Sequence, residues 1–280
     1  MKLNLTALIL TLNEEMNIQG CIESVKSIVQ EIVVVDSLSK DRTVAIAQSL
    51  GARVIQNRFI GFSEQRNFAL KQTGISTEWV LVLDADEKIS PELALEIRSV
   101  LNHNLSKNGF RVKRRFIWNG KWIKRGYYPV WLLRLARVNH VYCEDRKLNE
   151  HLLVDEEIGD LNCDLIHEDN NGINHWHIKH LNYAEIAARE FLKRKEKLSL
   201  VDFKANKKRW LKYNLWDRLP LFVRPWLYFV FCYFIRGGFL EGWQGLSYHF
   251  LHGLWFQLLI SHKIYELQTD LKTQLNSHCD

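Results

Sequence analysis

The sequence predicts an α/β fold, a doubly wound sheet with its ligand edge at the carboxyl ends of the strands, followed by a helical C-terminal segment. Three observations point there. Over the first hundred residues, short runs rich in Val, Ile and Leu alternate with stretches whose apolar residues recur at helical spacing. From Gly109 the apolar period drops to two. Further on, Ile186 to Arg218 holds 11 Lys and Arg against 4 Asp and Glu, and Phe203 to Phe256 holds 17 of the chain's 33 aromatic residues.

Leu5 to Leu12, Ile32 to Asp36, Arg53 to Gln56 and Trp79 to Asp84 read as strands, because each run is short, mainly apolar and bounded by polar residues. The first has one lysine ahead of it and runs straight into Asn13-Glu14-Glu15 with no small-residue cleavage site, so it reads as a strand and not a signal peptide. Ile18, Ile22 and Val25, then Val44, Ala47 and Leu50, then Phe68 and Ala69 mark three intervening helices. Gly51 stands where a left-handed cap closes the second. Ser90-Pro91-Glu92 opens a fourth, with Ser as N-cap and Pro in the first turn. In the period-two stretch, Phe110, Val112, Phe116 and Trp118 lie opposite Arg111, Lys113 and Arg115. Asn119-Gly120, flanked by Trp118 and Trp122, signals a two-residue hairpin. Trp131 to Arg137 and Leu152 to Val154 read as further strands, and a long basic helix is expected from Ile178 to Leu200.

Composition narrows the class. The 280 residues are 47% hydrophobic and 25% charged, which excludes a disordered tail, a collagen-like fibre and a polytopic membrane protein. Five cysteines without a C-x-x-C pair argue against a disulfide scaffold or a thiolate zinc site and suit a reducing compartment. The net charge of +6 is concentrated in the basic stretch, which leads into the aromatic one. That order suggests an anionic partner with an apolar body, such as a lipid surface, with single-stranded nucleic acid as the competitor.

The sharpest local feature is Asp84-Ala85-Asp86 at the end of EWVLVLD. Two carboxylates so placed suit Mg²⁺ or Mn²⁺ bridging a diphosphate, whereas a strand-ending Asp also caps the following turn. Thr11 to Glu15, Asp36-Ser37 with Ser39, Asp41 and Thr43, and Ser63 to Asn67 fall at the same sheet edge. Helix capping explains any one of these clusters, but their convergence on an acidic pair points to a ligand site. Asp36 can accept from a base or ribose, and Arg66 offers a planar donor. Neither G-x-G-x-x-G nor G-x-x-x-x-G-K-[ST] occurs, which disfavours a dinucleotide dehydrogenase and a P-loop NTPase.

TLNEE, VVDSLSKDRT, QRNFAL and VLDADE, in that order, resemble family 2 glycosyltransferases of the GT-A fold, a Rossmann-like mixed sheet. The likeness is to bacterial enzymes of lipopolysaccharide core, capsule or exopolysaccharide synthesis, and it continues through WNGKWIKRGYYPVWLLRLAR, CEDRKLNEHL and DLIHED. It implies inverting transfer from a nucleotide-sugar, most often a UDP-sugar. Residues 1–105 would bind the donor, 106–180 the acceptor, and 181–280 would form the extension. By motif position, Thr11, Glu14, Asp36 and Arg66 would hold the nucleoside, with Ser37 standing where many relatives carry a second Asp. Asp84 and Asp86 would hold the Mg²⁺ or Mn²⁺ and the diphosphate, and His167 matches a histidine that completes this site in several GT-A enzymes. Two residues match family positions for the catalytic base. Asp145 belongs to an acidic pair with Glu144, while Glu150 aligns with the His-Glu pair of the lipopolysaccharide type and is preferred; a surface ion pair with Arg146 or Lys147 is the alternative for either. Trp118, Trp122, Tyr127 and Tyr128 could stack on an acceptor sugar, but core is the preferred reading of the two tryptophans.

Leu219 to Ile235 is an apolar run of 17 residues interrupted by Arg224 and Pro225, and Gly237-Gly238 separates it from a second stretch, Phe239 to Ile260. A spanning helix needs about 20 clean apolar residues. One or two helices lying in the membrane interface are therefore expected, with a buried helical pair as the alternative. No nucleic-acid recognition motif is present. The expectation is a metal-dependent glycosyltransferase at the cytoplasmic face of the bacterial inner membrane, acting on a lipid-linked oligosaccharide. Its rivals are a nucleotidyltransferase and a non-catalytic membrane-docked module.

Overall fold

The four apolar runs form the parallel half of a sheet: β1 (Leu3–Thr11), β2 (Val29–Asp36), β3 (Arg53–Gln56) and β4 (Trp79–Asp84). The computed structural model describes residues 2–103, 106–144, 151–155, 157–197 and 216–277. Next come β5 (Glu87–Ile89), β6 (Gly109–Trp118), β7 (Lys121–Trp122), β8 (Val130–Arg137), β9 (Val141–Cys143), β10 (Leu152–Val154) and β11 (Ile158–His167). The sheet order is β3-β2-β1-β4-β8-β6-β11-β5, with β7 paired to β6, and β9 and β10 pair as a separate ribbon. Strand β8 runs antiparallel to both of its neighbours and β11 runs parallel to β6, so the sheet is mixed. This is the expected α/β, Rossmann-like architecture.

Helices α1 (Ile18–Val25), α2 (Thr43–Ser49), α3 (Phe62–Gln72) and α4 (Pro91–Asn102) cover the sheet. Alternate residues of β1 feed two cores. Leu5, Ala7 and Ile9 pack in a cluster with Ile18 and Ile22 of α1 and Leu93 and Ile97 of α4. Leu8 belongs to the other cluster, with Ala69 and Leu70 of α3 and Cys143 and Leu152 of the β9–β10 ribbon. Burial on both faces is why the middle of β1, the second half of β2 and most of β4 are mainly apolar.

Local signals act as the sequence implies. Ser90 Oγ accepts from Leu93 N at 3.1 Å, capping α4. Asn119 and Gly120 take φ of 47° and 74°, both in the left-handed region that a tight hairpin requires. The helix expected from Ile178 instead begins earlier, as α5 (Gly172–Lys197), because Gly172 at φ 81° turns the chain into it directly after Asn170-Asn171.

The chain divides into two compact units. Met1–Lys124 with Tyr128–Gly172 holds the sheet, and Arg125–Tyr127 with Ile173–Asp280 holds the C-terminal helices. In the second unit, α6 (Arg224–Val230) runs on as a π-helical stretch, Phe231–Ile235. A 3₁₀ turn at Gly238–Glu241 precedes α7 (Gly242–Tyr248), which continues through a π-helical stretch, His249–Trp255, into α8 (Phe256–Ser277). Its interior is aromatic. His180 of α5 stacks on Trp176 with ring centres 3.6 Å apart, and Trp176 meets Trp255 at 5.8 Å. No helix among the described residues is long and apolar enough to cross a membrane.

Candidate active site

Strand register assembles the polar edge. Thr11 lies opposite Asp36, Asp36 opposite Gln56, and Leu10 opposite Asp84, so four loops leave the sheet side by side. The first two loops are sewn together. Asn13 N donates to Ser39 Oγ and Lys40 N to Asn13 Oδ1, each at 2.8 Å, while Glu15 N donates to Asp41 Oδ2 at 3.1 Å. Hydrogen bonds from Thr43 and Glu15 hold the Asp41 carboxyl below its ordinary value, although burial opposes them. Asn13 and Leu38 sit at φ of 55° and 67°. Asn tolerates that region, but a leucine there carries backbone strain of about 1 kcal/mol, directly beside Asp36-Ser37.

The donor residues expected at this edge fall into two groups. The Thr11 hydroxyl is buried and makes no hydrogen bond among the described residues. Asp36 is fully buried and works on its own loop, accepting from Ser39 N at 2.9 Å and from Gln56 Nε2 at 3.3 Å. Ser37 Oγ accepts from Gln65 Nε2 at 3.1 Å. Glu14 Oε2 accepts from Asn17 Nδ2 at 2.7 Å and from Asn171 Nδ2 at 2.8 Å. Asn17 in turn accepts from Asn170 N and Nδ2 through Oδ1. This network ties the segment after β11 to the loop after β1.

The acidic pair divides its labour. Asp84 Oδ1 accepts from Arg66 Nη2 at 2.9 Å, and Oδ2 accepts from Arg134 Nη2 at 2.7 Å. Arg134 also donates to Glu87 Oε1 at 2.7 Å, and Glu87 Oε2 accepts from Asp84 N at 3.1 Å. The Glu87 side chain is 0% exposed and that of Arg134 is 6% exposed, so each charge depends on the other for its solvation. Burial alone would raise the Asp84 carboxyl, but the two guanidinium groups outweigh it and hold that carboxyl well below the usual carboxylate range. Beneath the pair, burial, reinforced by Glu87, Asp86 and Asp84, pushes the Cys21 thiol well above its usual value.

Asp86 meets a different partner. Its Oδ1 lies 3.2 Å from His167 Nδ1, and both atoms are buried. The His167 ring stacks on Phe116, centres 5.1 Å apart, while Glu168 N donates to Asp86 O at 2.9 Å. These contacts hold the end of β11 against the D-x-D turn. Mg²⁺ and Mn²⁺ bind through one or two protein ligands and fill their remaining positions with phosphate oxygens and water. Asp86 and His167 fit that set. Among the described residues no group of three or more His, Cys, Asp or Glu could hold a metal ion, so a cation here would share its coordination with a ligand.

Asp145 and Glu150 lie outside the described residues. Of the hairpin aromatics, Trp118 is buried as expected, whereas Trp122 is half-buried beneath Arg115, whose guanidinium lies 4.1 Å from the ring centre. Tyr128 donates to Asp164 Oδ1 at 3.0 Å, and Tyr127 packs with Tyr248 and His252 in the second unit. Sequence reasoning missed Arg134, Glu87, Asn17 and Asn171. The arginine inside the otherwise apolar WLLRLA and the Asx run DNN behind His167 were the available signals.

Comparison with known proteins bears on the same segment. Residues 6–127 match the family described as glycosyl transferase family 2. An uncharacterized glycosyltransferase of Rickettsia bellii is 45% identical over 96 residues, 34% of this chain and 32% of that protein. The lipopolysaccharide core biosynthesis glycosyltransferase LpsC of Rhizobium meliloti is 38% identical over 119 residues, 41% of this chain and 43% of that protein. The match thus spans about a third of the first relative's length and less than half of the second's. Among solved structures, glucosyl-3-phosphoglycerate synthase of Mycobacterium tuberculosis with Mn²⁺, UDP and glucosyl-3-phosphoglycerate is 25% identical, at a TM-score of 0.32 over 40% of this chain and 44% of that one.

Proposed function

We propose that this chain, whose residues 6–127 belong to glycosyl transferase family 2, transfers a sugar from a nucleotide-sugar, a UDP-sugar by motif, to a saccharide acceptor with inversion. One observation carries the reading. The Asp86–His167 pair and the Arg66–Asp84–Arg134 array stand together at the carboxyl edge of β4, beside the stitched loops that follow Thr11 and Asp36. That edge offers hydrogen-bonding loops for a nucleoside and a charged floor for a diphosphate.

Thr11, Glu14, Asp36, Ser37 and Arg66 shape and line the nucleoside side. Asp86 and His167 are the residues that would hold Mg²⁺ or Mn²⁺. Asp84, with both oxygens on guanidinium groups, orients Arg66. When bound, the cation offsets the charge that builds on the departing diphosphate. Inversion in one displacement then asks only for a carboxylate that takes the acceptor's proton, a role for Glu150 or, failing it, Asp145. The lipopolysaccharide name of the Rhizobium relative supports a lipid-linked saccharide acceptor, and with it a place at the cytoplasmic face of a bacterial inner membrane.

Incubation with a panel of nucleotide-sugars and Mn²⁺, with and without chelator, tests this. Slow release of nucleoside diphosphate is expected, and chelator should stop it. Release of pyrophosphate would instead identify a nucleotidyltransferase, and failure to bind any donor would leave a docking module. Glu150→Gln should lower turnover by about two orders of magnitude with donor affinity unchanged. If that variant is active and Asp145→Asn is dead, the base is Asp145.

A further inference from the structure

The helical unit turns its apolar side outward. Along residues 224–235, the exposed apolar positions are Trp226, Leu227, Val230, Phe231, Phe234 and Ile235. They come as adjacent pairs that repeat every four residues, which is one face of the helix. In the following helical run, Phe239, Leu240, Trp243 and Phe250 are exposed in the same way. Between Phe222 and Phe250 the one exposed charged residue among those described is Arg236.

The opposite sides of these helices carry what a water-soluble helix would show to solvent. Glu241 and His249 are buried, and so are Gly245 and Gly253. A side chain at Gly245 would meet Glu241 Cβ and Gly238 O at 2.5 Å, so only glycine allows this approach. Tyr248, Leu254 and Phe256 are buried in the same unit, and large apolar side chains on both the inner and the outer side of a helix are the distribution expected where the surrounding medium is itself apolar.

We propose that this face is the seat of the protein on an anionic lipid surface, with helix 224–235 lying in the interface plane. One feature sets how the face is seated, and two select lipid over a second copy of the chain. The run spans 12 residues, about 18 Å, far less than a hydrocarbon core of about 30 Å, so it can lie in a bilayer but not cross it. Trp226 and Trp243 are amphipathic rings suited to the headgroup boundary. The preceding stretch, Ile186 to Arg218, carries 11 basic against 4 acidic residues, a charge excess that repels a second copy and attracts acidic headgroups.

This inference deepens the membrane part of the proposed function, yet it is scored without turnover, so either can fail while the other stands. Full-length protein is mixed with vesicles of phosphatidylcholine alone or with phosphatidylglycerol added, and flotation and tryptophan emission are followed. Flotation with the anionic vesicles and a blue-shifted emission are expected. High salt should release part of the protein and detergent the remainder, because salt screens charge but leaves apolar burial untouched. The double variant Trp226→Ser, Trp243→Ser should partition about tenfold less or weaker still, with circular dichroism and UDP binding unchanged. Three outcomes would overturn the proposal: wild-type protein that stays free at low salt, vesicle binding that the double variant leaves intact, or a vesicle-independent dimer that the double variant dissolves.

Discussion

In the sheet unit apolar side chains fill the interior and charges gather at one rim, whereas in the helical unit large apolar side chains face outward as well as inward. Leu83 and Glu87, four residues apart, are both fully buried, yet Leu83 sits among aliphatic neighbours and Glu87 among Arg134, Arg114 and the Asp84 amide. In the helical unit Phe231 and Phe234 are about half exposed, while Glu241 and His249 are buried. Burial of His249 lowers its proton affinity despite nearby Glu241 and a backbone hydrogen bond to Arg125. A misplaced residue therefore has a different meaning in each unit. A buried charge with specific partners marks a site where charge is needed, and an exposed apolar stripe marks a surface where water is not the final solvent.

Four experiments test that contrast. The largest effect is expected at the rim: Asp86→Ala should lower nucleoside-diphosphate release by about a thousandfold while circular dichroism stays native. Near-full turnover in that variant with chelator present would exclude a metal-dependent rim. Next, Arg134→Met should cost about 3 kcal/mol in urea unfolding, because Glu87 is left as a buried charge whose one remaining ion-pair partner among the described residues is Arg114, at 4.0 Å. Adding Glu87→Met should recover part of that loss, and a double variant weaker than the single one would show that the pair is not the source.

Acid offers a gentler probe. The folded Asp84 carboxyl titrates below its unfolded counterpart, so its share of stability is present above about pH 4 and is lost as the pH falls further. Urea midpoints measured downward from that pH should fall less steeply in Arg134→Met than in the parent, since one of the two charges depressing Asp84 is gone. Equal slopes would remove Arg134 from that role. The smallest effect belongs to the outward face. Phe234→Gln should change stability by less than about 0.5 kcal/mol, whereas Leu83→Ala, at a fully buried site, should cost about 3 kcal/mol. A large loss at Phe234 would mean that its ring is core after all.

What could be read from the sequence was what depends on near neighbours. The strands Arg53–Gln56, Trp79–Asp84 and Leu152–Val154, the Ser90 cap and the Asn119-Gly120 turn all follow from residues within a few positions of one another, and the structure has them where local propensity places them. The likeness of TLNEE and VLDADE likewise pointed to the edge where Arg66 meets Asp84 and Asp86 meets His167. Partners and faces were another matter. Arg134 reaches Asp84 across 50 positions only because β8 inserts next to β4, and Asn171 reaches Glu14 across 157. Residues 226–235 are apolar throughout, so no pattern marked a face there, and tertiary packing decided that Cys232 turns inward and Phe231 and Phe234 outward. Periodicity names a face of a helix or strand, and the energy of that face belongs to whatever the rest of the fold, or the surrounding medium, sets against it.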